Sequence, residues 1–183
     1  MIERLRKKLG KNSLIVNAII VFIHIAIIFF AFIIQTSIFS MIPIFKCAPN
    51  FLIIITFSYG LLYGENIGIT TGLFCGLLCD IYYNGEFGLY TLIYSLIGYF
   101  NGNLNHLFYA DSITFPMWLS ALNMLIYNLY IYFTHFFVRK RYDFLYYFFN
   151  LMLPNILFTV ITTVLIYRII YYLIIVKRNK LSN

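Results

Sequence analysis

Charge is scarce in this sequence: charged residues are 10% of its 183 positions and hydrophobic residues 62%, which excludes the apolar-core, charged-surface plan of an ordinary soluble domain. Cysteine is scarce too. Cys75 and Cys79 lie four apart on one helix face and Cys47 is distant, with no CxxC pair and no Cys/His ligand spacing, so all three read as small apolar packing residues. The sequence contains no HExxH, no P-loop, no nucleophile elbow and no Ser/His/Asp grouping on a recognisable turn. Asp80 and Glu86 could be imagined as an acid and base pair, but the flexible turn between them provides no rigid geometry. The expectation is a protein without enzymatic activity and without a cofactor or metal. The net charge of +7 sits mostly in MIERLRKKLGK and VKRNK at the two ends. So little basic surface on so apolar a chain is a signal for orientation against anionic lipid rather than a nucleic-acid site.

What fills the sequence instead is apolar runs. Stretches free of Asp, Glu, Lys and Arg cover Asn12 to Phe45, Cys47 to Gly64, Asn66 to Cys79, Phe87 to Ala110, Ser112 to Val138 and Phe144 to Tyr167. A helix needs about 20 residues to cross a bilayer, and the third run reaches that length only by including Asp80 to Tyr83. The runs are apolar on every face, unlike the short alternating segments of a membrane β-barrel. They imply an all-α integral membrane protein, a single transmembrane domain over 1–183 with spans near 14–34, 50–64, 67–83, 88–104, 113–138 and 150–175. The first run has no small-residue cleavage site after it and is expected to stay in the mature chain.

The basic ends place both termini in the cytoplasm, which requires an even number of spans. Six spans put Arg139, Lys140 and Arg141 on the outer side. Either that cluster has a local job, such as pairing with Asp143 or docking a partner, or one span is miscounted. Glu65 and Asn66 are expected to form the short turn between the second and third helices. The last helix could begin at Phe144, and Pro154 is expected to bend it or to mark its true start.

Nine of the ten glycines fall between Gly60 and Gly102, and Gly60, Gly64, Gly68, Gly72 and Gly76 recur at intervals of four. In a helix that spacing makes a small-residue face, which lets a second backbone approach closely where lipid supplies no hydrophobic drive for association. Gly98 and Gly102 repeat the pattern on the fourth helix. Such a face serves internal packing or a partner surface.

Ionisable residues inside spans are costly and attract functional hypotheses. His24 is a lone imidazole and is expected to be neutral and hydrogen-bonded. Arg168 is near enough to the inner face to snorkel or to meet Glu65. Asp80 and Glu86 lie toward the outer face. Asp80 either pairs with one of Arg139, Lys140 and Arg141 or accepts hydrogen bonds from the NGEFG turn as a cap, and a role with a partner protein is the alternative.

The 56-residue stretch from Cys47 to Gly102 resembles the rod shape-determining protein MreD family. The resemblance is carried by the Pro49-Asn50 helix start, the LLYG hairpin at Leu61 to Gly64, and the run GLFCGLLCD ending at Asp80. Gly88 after the turn, and Gly98, Tyr99 and Gly102, complete it. The chain departs at Asn105 and His106, where family members often carry basic residues, and at Asn155, often acidic. The resemblance implies a multi-pass component of the bacterial inner membrane, a non-enzymatic scaffold or regulator of cell elongation. Its implied partners are MreC, MreB and peptidoglycan synthases, and its implied fold is that of the S components of energy-coupling factor transporters. A vitamin-binding S component is therefore the alternative, requiring an outer pocket for which Asp80, Tyr82, Tyr83, Asn84 and Glu86 are the only cluster.

Overall fold

A computed structural model of the chain describes residues 21–38, 48–83, 87–107, 114–137 and 144–182. Among these residues the regular structure is entirely helical, arranged as six helices. Helix α1 is described from Val21 and closes in a π-helical turn, Ile34–Ile38. Helices α2 (Phe51–Tyr63), α3 (Glu65–Tyr83) and α4 (Leu89–Asn103) follow. Helix α5 covers Thr114–Ile131 and runs on as a π segment, Tyr132–Phe137. Helix α6 starts at Phe144–Tyr147, passes through a second π segment, Phe148–Met152, and continues over Leu153–Ser182.

The apolar sequence of α2 explains its place. With no polar stripe to turn toward solvent, FLIIITFSYGLLY belongs in a protein interior, and every residue from Leu52 to Leu61 is buried. Asn50 starts the helix by accepting the Ile53 N–H at 3.0 Å, satisfying one of the amides that a helix start leaves orphaned. Helices α3 and α4 pack on α2 from one side, α5 pairs with α6, and α2 also touches α5 and α6. The core centres on Leu52, Ile53, Ile54 and Phe57 of α2, joined by Ile93, Tyr94 and Ile97 of α4 and Met124 of α5. Around it the outward side chains are large and apolar, including Phe74, Ile81, Phe100, Trp118 and Leu145. That is the inverse of a water-soluble surface and suits hydrocarbon.

One boundary differs from the sequence expectation. The turn between α2 and α3 is not Glu65 and Asn66 but a single residue, Gly64, with both of those already in α3. Its φ of 94° lies in the region open to glycine, and its N–H closes on the Gly60 carbonyl at 2.8 Å. The last helix begins at Phe144–Tyr147, the earlier of the two expected starts, and passes through a π turn just ahead of Pro154. The Leu153 N–H reaches back five residues to the Phe148 carbonyl.

Among the described residues, Phe144–Arg168 is the one helix long and apolar enough by length and composition to cross a membrane, while Val21–Ser37 and Phe51–Tyr63 are apolar but shorter. Polar residues lower the others: Glu65, Thr70, Thr71 and Asp80 in α3, and Asn123 and Asn128 in α5.

Candidate functional site

The glycines of α2, α3 and α4 meet in one seam. A Cβ placed on Gly68 or Gly98 would run into the backbone of the other, and one on Gly60 would lie 2.8 Å from the Gly98 carbonyl oxygen. Gly72 faces the backbone of Tyr94 and Ser95, Gly76 that of Tyr90 and Thr91, and Gly102 that of Gly64 and Glu65. The pairing runs antiparallel along the whole length of α3 and α4. Because the obstructing atoms are backbone on both sides, no rotamer change could relieve a larger residue. Gly64 is different. Its added Cβ would meet nothing within 4 Å, and it serves the turn through its backbone conformation.

Asp80 sits at the end of this seam nearest the α3–α4 connection, buried at 5% exposure. Its Oδ1 accepts the Tyr90 N–H at 3.0 Å, and its Oδ2 accepts the Thr91 N–H at 3.0 Å. The Thr91 hydroxyl also donates to Oδ2. The carboxylate of α3 therefore closes the first turn of α4, where the orphaned amides and the positive end of the helix dipole favour an anion. Helix α4 needs this because its own cap residue is Gly88, in a left-handed conformation with φ 101° and no side chain to offer.

Three groups of uncharged polar residues complete the interior. The Asn50 Oδ1 accepts the Tyr94 hydroxyl at 2.9 Å, and the Asn50 N–H donates to Thr159 Oγ1 at 3.2 Å, so one residue ties α2 to α4 and α6. Asn101 and Asn123 exchange amide hydrogen bonds of 2.9 Å in both directions, joining α4 to α5. Ser120 and Thr163 share a 2.7 Å contact between α5 and α6. None of these residues is an Asp, Glu, Lys, Arg or His, so a search for charges in spans passes over them. An amide inside an apolar run is nonetheless a signal, because in lipid it must find a partner.

Glu65 and Arg168 are both exposed, on α3 and α6. Glu86, Arg139 and Arg141 lie outside the described residues, as do Asn84, Lys140 and Asp143. His24 stacks edge-on against Tyr59, with ring centres 5.0 Å apart. Cys75 and Cys79 are buried and free.

Chemically the arrangement holds helices together. Among the described residues no group of three His, Cys, Asp or Glu could hold a metal ion. The Asp80 carboxylate is engaged by three donors, which leaves it poorly placed to act as a base. Neither a curated protein nor a solved structure matches the chain. The family model described as rod shape-determining protein MreD matches residues 14–176, nearly the whole length, well beyond the glycine seam and its cap. By that match the chain belongs to the MreD family, a membrane protein family of rod-shape determination.

Proposed function

We propose that the chain is a multi-pass, non-enzymatic scaffold of the bacterial cytoplasmic membrane that helps maintain rod shape and lateral peptidoglycan synthesis. Its partners in this reading are MreC, MreB and the peptidoglycan synthases. Family membership over residues 14–176 is the observation that carries it. Six spans with both termini cytoplasmic agree with the basic residues at the two ends of the sequence. The glycines at 60, 68, 72, 76, 98 and 102 serve internal packing, which gives partner proteins a rigid body to dock on. Asp80 is a structural cap in this reading rather than a partner contact.

Depletion from a rod-shaped host tests the proposal: the cells should round up, and the purified protein should co-elute with MreC. A nutrient requirement with unchanged shape, and a small molecule carried through purification, would instead identify an S component. Retention of rod shape after complete depletion would overturn the scaffold reading.

A further inference from the structure

Most helical hydroxyls of this chain are satisfied locally. Those of Thr56, Thr70, Ser95, Thr134, Thr162 and Thr163 each donate to a carbonyl three or four residues earlier in their own helix. Ser58 of α2 departs from this habit. It is buried at 0% exposure, and among the described residues its Oγ has no hydrogen-bond partner. A hydroxyl left so is costly in any protein interior, and the more so in a bundle surrounded by lipid.

The helix periodicity says where Ser58 faces. Successive residues are about 100° apart around a helix, and Tyr59 turns to His24 of α1 while Gly60 turns to the α4 backbone. Ser58 therefore takes the remaining side of α2, toward α5 and α6. Helix α4 is parallel to α2, because Tyr94 meets Asn50 and Gly102 lies by Gly60, and α5 is antiparallel to α4, because Tyr127 lies by Tyr94 and Asn123 by Asn101. Helix α6 in turn is antiparallel to α5, with Tyr147 by Tyr132 and Thr163 by Ser120, so it runs in the direction of α2. From the Asn50–Thr159 contact, eight residues along α2 reach Ser58, and over the same rise α6 presents Thr163 and Tyr167, both buried. The layer around Ser58 is polar. A hydroxyl has one proton to give, and Thr163 gives its own to the Thr159 carbonyl at 2.7 Å, so in the 2.7 Å contact between Ser120 and Thr163 the donor is Ser120. Ser120 Oγ keeps lone pairs with which to accept, while Ser58 has a proton to offer.

We propose that a water molecule is bound inside the bundle between α2, α5 and α6, accepting the Ser58 proton and donating to Ser120 Oγ. Thr163 and Tyr167 border it, which supplies the two to four polar neighbours that a buried water needs. Every residue of α2 from Leu52 to Leu61 is buried, so neither a lipid headgroup nor a side chain of another protein reaches Ser58. The ligand has to be as small as water. The α3–α4 seam is then a dry contact of backbone on backbone, and the joint with α5 and α6 a hydrated one.

The test uses the full chain reconstituted in deuterated phospholipid and read by water-edited solid-state NMR. Thr56 is the control, on the same helix and equally buried at 0% exposure, but with its hydroxyl on the Leu52 carbonyl at 2.8 Å. Polarisation from water should reach the Ser58 side chain about threefold faster than that of Thr56. Equally slow transfer at the two residues overturns the proposal. Ser58→Ala gives a second readout. With the water bound, the substitution removes one of its partners and should lower the folding equilibrium constant about fivefold, seen as a lower denaturant midpoint in mixed micelles. An unchanged or higher midpoint would mean that the variant had only shed an unsatisfied hydroxyl, and it too would overturn the bound water.

Discussion

Gly98→Ala probes the seam at its tightest crossing. The added methyl would collide with the Gly68 carbonyl and approach the Ile69 amide at 3.1 Å. Neither obstacle can rotate away, so α3 and α4 must separate by about 1–1.5 Å to reach ordinary contact. A gap of that size forfeits a quarter to a half of each atom–atom attraction of about 0.1–0.2 kcal/mol. Summed over tens of atom pairs along the seam, the loss is about 2–3 kcal/mol, within the range for overpacked cores. Alanine recovers about 1 kcal/mol through its better helix propensity. The net expectation is a destabilisation of about 1–2 kcal/mol, measured as a shift in denaturant midpoint in mixed micelles. Leu96→Ala, at an exposed position of the same helix, should change little. Should Gly98→Ala prove as stable as the wild type or more so, propensity alone would be deciding the outcome, and the close approach would be refuted.

Removing the Asp80 carboxylate with Asp80→Ala leaves two α4 amides and the Thr91 hydroxyl without their acceptor, and should cost about 2–3 kcal/mol in the same assay. Because those donors are not cationic, pairing Asp80→Arg with Arg139→Asp or Arg141→Asp should fail to restore folding. A rescue by either pair would show that the carboxylate is an ion-pair partner instead. Asn101→Leu and Asn123→Leu should each destabilise by about 1–2 kcal/mol by stranding the other amide. Their double mutant should lose less than the two together, with a coupling of about 1 kcal/mol in a double-mutant cycle.

Periodicity made much of this fold legible. Glycines at intervals of four mark one helix face whatever the fold, so the seam could be anticipated on α2, α3 and α4, though not that Gly98 would meet Gly68. Gly64 belongs to the same series yet does a different job, because its turn depends on backbone conformation, which spacing does not encode. For Asp80 the position at a helix end before a turn suggested capping, but sequence proximity pointed to the NGEFG turn, whereas the amides it accepts belong to Tyr90 and Thr91, just beyond. The Asn50, Asn101 and Ser120 contacts were illegible for a different reason. Their partners are 22 to 109 residues away, and no local rule selects Thr159 for Asn50 or Thr163 for Ser120.

The Asn50 contacts also bear on the order in which the molecule is made. Helices α2, α3 and α4 are joined by connections of a few residues, so their seam can close while the remainder of the chain is still on the ribosome. The Asn50 amide, by contrast, meets Thr159, 109 residues later. Until α6 is synthesised, that N–H at the start of α2 has no such acceptor, and in an apolar surrounding it is a strong incentive to take one up. The final helix thus arrives at a preformed receptor, and a chain truncated before Thr159 should present α2–α4 assembled but with the Asn50 end of α2 open to proteases and chaperones.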